Sequence, residues 1–146
     1  MSRLAETFAN LRKEGRPGLV TYTTAGDPDL PRAGEILKAL ARAGADVLEV
    51  GVPFSDPLAD GPVIQRATER ALAAGGCMRA TLDLVEQVRR EVSTPIVIFS
   101  YANPIVRMGL DAFAKRAAAV GVDGVLALDL PVEEADEFRN AISKAG

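Results

Sequence analysis

Short runs rich in β-branched residues alternate with longer stretches of helical apolar spacing, and this alternation restricts the possible folds more than any other feature. Strands are expected over 18–24 (GLVTYTT), 46–50 (DVLEV), 96–100 (IVIFS) and 124–128 (GVLAL). Helices are expected over 2–14, 31–43, 62–74, 79–92, 110–120 and 132–145. Leu4, Phe8 and Leu11 mark the apolar stripe of the first helix, and Gly15 is placed to end it. Asp29 is placed to cap the second helix, and Gly44 closes it. Strands separated by helices are the grammar of βαβ units around a parallel sheet. The second strand pair echoes the first: GADVLEVGVP at 44 and GVDGVLALDLP at 121 share a Gly, an Asp, a strand and a Pro. A closed barrel of eight such units needs about 250 residues, and 146 are present. An open doubly wound sheet needs only four or five strands, so the pattern alone leaves both architectures standing.

Composition narrows the function. With 48% hydrophobic and 25% charged residues, the chain reads as one folded domain over 1–146. The net charge of −3 comes without a basic stripe, which argues against nucleic acid as a partner. The amphipathic start MSRLAETFANLRKEG has no apolar core of a signal peptide, and no later run approaches membrane-spanning length. The single cysteine, Cys77, cannot form an internal disulfide, which suits a reducing, cytoplasmic setting. There is no histidine. Ser-His-Asp and Cys-His catalysis and His-ligated metals are therefore outside this chain's own means, and proton transfer falls to carboxylates, Tyr or Lys.

Glu49 stands out as a charge inside the apolar run DVLEV, near the carboxyl end of a strand, where parallel α/β folds place their sites. Desolvation there would suit a group that accepts and donates a proton. A structural alternative is pairing with an Arg, or a position past the strand end in water. The following loop, GVPFSDPLADGP, adds Ser55, Asp56 and Asp60. Ser55 and Asp56 read as turn formers. With Pro62 in the first helical turn, Asp60 or Gly61 is the natural N-cap. Two carboxylates on one strand and its loop can also converge on one ligand as acid and base. Tyr101 in SYANP could line a pocket or fill the core, Asp129 in DLP could face the site or cap the last helix, and Tyr22 could line a barrel or fill it. The four lysines, Lys13, Lys38, Lys115 and Lys144, fall in helical segments, away from Schiff-base positions. Neither GxGxxG nor a P-loop is present.

The run LEVGVPFSDPLADGPVIQRA (48–67) closely resembles the signature segment of the tryptophan synthase alpha chain family. TAGDPD, YANP and GVDGVLALDLPVEE resemble its successive strand-loop segments in the same order. The resemblance implies a TIM (β/α)8 barrel, of which these residues form the first four βα units, a half-barrel, behind an N-terminal helix. It implies a lyase of tryptophan biosynthesis that cleaves indole-3-glycerol phosphate by a retro-aldol step to indole and glyceraldehyde 3-phosphate, with no metal or organic cofactor. By position, Glu49 matches the family's acid/base and Asp60 the carboxylate that holds the indole N–H. Tyr22 and Tyr101 match positions lining the indole pocket. Pro53, Asp56 and Asn103 match loop positions facing the partner, a pyridoxal-phosphate beta chain. The family's phosphate-binding glycines and Ser, its mobile sixth loop and a second Tyr are expected in the other half. A half-barrel alone would expose two sheet edges and an apolar face, so pairing of two copies into a homodimer is the alternative expectation.

Overall fold

The computed structural model describes residues 2–146. Four parallel strands, β1 (Val20–Thr24), β2 (Val47–Gly51), β3 (Ile96–Ser100) and β4 (Gly124–Ala127), lie side by side in sequence order. That order decides between the two architectures: a doubly wound sheet reverses direction at a switch point, whereas a barrel adds each strand beside the last. The sheet is half of a barrel wall.

The helices are α1 (Arg3–Glu14), α2 (Leu30–Arg42), α3 (Pro62–Ala73), α4 (Met78–Arg89), α5 (Ala102–Met108), α6 (Leu110–Ala119) and α7 (Asp136–Ala145), with a 3₁₀ turn at Val132–Glu134. Among the described residues no helix is long and apolar enough to cross a membrane. Leu48, Val50, Ile96 and Ile98 are fully buried together with Leu37, Leu82, Val85 and Phe113 from the helices. Each such side chain contributes about 1.5–3 kcal/mol. Alternation then turns Tyr22, Glu49, Val97, Phe99 and Leu126 to the other, concave face. That face is half open, with Val20 45% and Leu126 39% exposed.

At the amino ends of the strands a bracket occurs twice. Asp46 accepts from the Leu19 N–H (2.8 Å) and from Arg16, while Asp123 accepts from the Ile96 N–H (2.9 Å) and from Arg89 and Arg3. Each backbone contact spans 27 residues, so the sequence echo is a repeated way of locking one strand to the next. α1 lies across this end: Leu11 packs on Gly18 before β1, and Leu4 on Gly124 at the start of β4.

The expected strands form, each within two residues of its expected ends. Two helical expectations, and the loop expected between 100 and 110, need correction. The helix expected over 79–92 stops at Arg89, whose guanidinium reaches forward to the carbonyls of Val92 and Thr94 and so satisfies the chain leaving the helix. The helix expected over 132–145 begins as a 3₁₀ turn and becomes α-helical only at Asp136, a common way to enter a helix. The segment after β3 holds an additional short helix, α5, with Pro104 in its first turn where proline is tolerated.

Candidate active site

Glu49 is the central inward residue of β2 and pairs in register with Tyr22 on β1 and Val97 on β3. It is half-buried on the strand, not beyond it. Among the described residues none of the ion pairs includes it. The Arg-paired alternative is thereby set aside.

Asp60 does not cap α3. Gly61 is the N-cap and Pro62 the first helical residue, so the Asp60 side chain is released from helix duty. Its Oδ2 accepts from the Tyr101 hydroxyl at 3.0 Å, and its backbone carbonyl accepts from the Gln65 amide at 2.9 Å. The Tyr101 hydroxyl also accepts the Ala59 N–H at 3.0 Å. Tyr101 is 6% exposed, with the Phe54 ring 5.4 Å away. Asp129 likewise does not cap the last helix: its Oδ1 accepts from the Ala102 N–H at 2.6 Å, so the loop after β4 caps α5.

Tyr22 packs edge-on against Phe99, centroids 5.5 Å apart, and its hydroxyl hangs over Gly51, where a Cβ would collide with it. Burial pushes the Tyr22 phenol above its ordinary value; a hydrogen bond with Thr24 opposes this, and the nearby charges of Asp60 and Glu49 add to it. Tyr22 is also the in-register neighbour of Glu49, so the phenol and that carboxyl group share the concave face. Tyr101 is also raised, first by burial, with the Ala59 N–H opposing and Asp60 adding. Tyr22 and Glu49 stand side by side on the concave face, and the hydrogen-bonded Asp60–Tyr101 pair lies at the carboxyl ends of β2 and β3; together they supply the phenols and carboxyl groups needed to hold a flat aromatic ring and to move protons beside it.

Pro53 and Asn103 line one groove of about 440 Å³ together with Phe54, Cys77, Arg79 and Arg107. Asp56 lies in an adjoining groove of about 290 Å³ beside Leu58 and Gln65. Ser55 lines both. Among the described residues no cluster of His, Cys, Asp and Glu could hold a metal ion. Sequence reasoning missed Gly51, Phe54 and Phe99. The two rings sit beside residues it had singled out, but nothing in their own spacing marks them.

The family profile described as tryptophan synthase alpha chain matches residues 8–146. The chain belongs to the tryptophan synthase alpha chain family. Tryptophan synthase alpha chains of Burkholderia thailandensis and Carboxydothermus hydrogenoformans are 56% and 55% identical to it, over 100% of this chain and 54% of each relative. The crystal structure of the tryptophan synthase alpha subunit of Legionella pneumophila superposes with a TM-score of 0.97 at 43% identity, covering 100% of this chain and 56% of that one. A tryptophan synthase structure from M. tuberculosis, in an aminoacrylate- and BRD0059-bound form, gives 0.94 at 41%, covering 99% and 57%. The chain thus spans about half the length of the alpha-chain relatives it matches. Its four strands are half of the family's TIM barrel.

Proposed function

We propose that this chain carries the acid/base half of a lyase site for indole-3-glycerol phosphate. The observation behind this reading is that Glu49 stands on the inward face of β2 beside Tyr22, while Asp60, in the loop that follows the same strand, is held by Tyr101 and not by a helix end, in a member of this family. In the proposed reaction, protonated Glu49 gives its proton to the ring carbon that bears the glycerol phosphate side chain. Positive charge then spreads to the ring nitrogen, whose N–H faces the Asp60 carboxylate. Glu49, now a carboxylate, takes the proton of the adjacent side-chain hydroxyl. The carbon–carbon bond breaks, its electron pair returns to the ring, and indole and glyceraldehyde 3-phosphate separate with Glu49 protonated again. Tyr22 and Tyr101 flank the indole ring. Positioned proton transfer of this kind is worth about 10²–10⁴ in rate, and stabilising the ring cation adds to it.

In the same reading, residues 1–146 are part of one barrel domain of a cytoplasmic enzyme, and the phosphate is bound by the other half. Pro53, Asp56 and Asn103 face a beta chain carrying pyridoxal phosphate, which receives the indole; the open grooves at these residues support that placement.

The test uses a chain of full family length containing this segment. Glu49→Gln and Asp60→Asn should each cut indole release by at least about 100-fold with the melting temperature preserved. Near-normal turnover in either variant would remove the role given to that residue.

A further inference from the structure

We propose that Tyr101 is the positioning residue that aims the Asp60 carboxylate at the ring nitrogen, an inference that rests on the lyase reading above. Asp60 sits in a loop, and no helix end or ion pair among the described residues fixes its side chain. A free aspartate samples several staggered rotamers, and only some would meet an N–H in the site. What selects one is the Tyr101 hydroxyl. That hydroxyl has a single proton, and the Ala59 N–H, itself a donor, already occupies one of its lone pairs at 3.0 Å. The proton is left to Asp60 Oδ2, also 3.0 Å away. With Oδ2 engaged, Oδ1 remains for a second donor, since a carboxylate accepts at both oxygens.

Tyr101 can aim Asp60 only if Tyr101 itself is held, and four contacts hold it. Its carbonyl accepts from the Ser100 hydroxyl at 2.8 Å. The next residue, Ala102, gives its N–H to Asp129 at 2.6 Å. Its ring lies against Phe54 and is almost wholly buried. The Ala59 contact ties the hydroxyl to the same loop that carries Asp60. Burial keeps the phenol neutral, so its proton stays available for donation. The loops after β2, β3 and β4 are thus joined in one chain of contacts, Asp60 to Tyr101 to Ala102 to Asp129, which ends at the carboxylate.

The experiment is steady-state kinetics on a chain of full family length. Tyr101→Phe keeps the ring and removes only the hydroxyl. It should lower kcat about 10- to 100-fold, the range that small misplacements of a reacting group produce, with KM changed less than about threefold. A role exercised through Asp60 further requires that Asp60→Asn with Tyr101→Phe be no slower than Asp60→Asn alone, because the side chain to be aimed is already disabled. Independent penalties that multiply would overturn the proposal. So would a kcat within about twofold of the parent, or a rise in KM alone, which would mark a simple pocket-lining contact. A parent chain with no indole release at all would overturn the lyase reading and this inference together, whereas an active parent with an indifferent Tyr101→Phe variant would overturn only the inference.

Discussion

Gly51 shows how much one missing side chain can carry. Tyr22 leans from β1 toward the carboxyl end of β2, and its hydroxyl occupies the space a Cβ at position 51 would need. Phe99, the in-register neighbour of Gly51 on β3, meets the same ring edge-on, so the ring is packed where an added Cβ would displace it. Gly51→Ala should therefore destabilise the fold by about 1–3 kcal/mol, as overpacking does, and displace the phenol from its place beside Glu49. Denaturant midpoints would measure the first effect. The second would appear as a changed environment for the Tyr22 ring in proton spectra. A variant as stable as the parent, with an unmoved ring, would contradict this account. Glu49 was legible in the sequence because a charge inside an apolar run is conspicuous without knowledge of the fold. The closeness of Tyr22 and Gly51 was not, because sheet pairing alone brings them together. Asp60 was half legible: its neighbours Gly61 and Pro62 suggested a cap, and only the fold reveals that Gly61 takes that duty and leaves the carboxylate to Tyr101.

Among the elements, the four strands followed from their β-branched runs, while α5 escaped notice. Its seven residues are too few for a period, and its capping group, Asp129, lies 27 residues further along the chain. The two aspartate brackets make a sharper test, since one motif occurs in two environments. Asp123 has a 5% exposed side chain and serves a backbone N–H and two guanidiniums. Asp123→Ala would strand Arg89 with its charge largely buried and should cost about 3 kcal/mol or more by denaturant titration. Asp46→Ala, at the more open bracket, should cost less. The Asp46 carboxyl is lowered from 3.8 to about 2, chiefly by the Arg16 hydrogen bonds and then by the Leu19 N–H. A carboxyl depressed in the folded state contributes stability that is fully present above its unfolded value and fades as pH falls through the folded one. The melting temperature should accordingly drop between pH 3.8 and about 2, and Asp46→Asn should flatten that part of the profile. An identical acid limb in parent and variant would exclude Asp46 as its source.

For the molecule as a whole, the burial pattern is lopsided. One face of the sheet is sealed by helices, while Val20 and Leu126 remain exposed on the other, and β1 and β4 each keep a free edge. The 146-residue polypeptide prepared by itself should bind a hydrophobic dye at this face, and Leu126→Lys should weaken that fluorescence. Adding the remaining half of a family barrel should suppress it as well. Solution mass measured alongside distinguishes pairing of two copies from cover by the other half. Dye binding unaffected by either change would place the apolar surface elsewhere. The half-barrel itself was legible from the family resemblance more than from spacing, because alternating strands and helices serve barrels and open sheets alike until strand order is known.

α1 runs beneath the strands from Gly18 to Gly124, at the end opposite the two carboxylates. That placement makes the structure a cup with a solid base. Immobilised through a tether at Ser2, just before the first helical residue, the protein would rest on its closed end and hold the rim toward solution. Sensors or fusions built that way should leave Glu49 and Asp60 as accessible as they are in free solution.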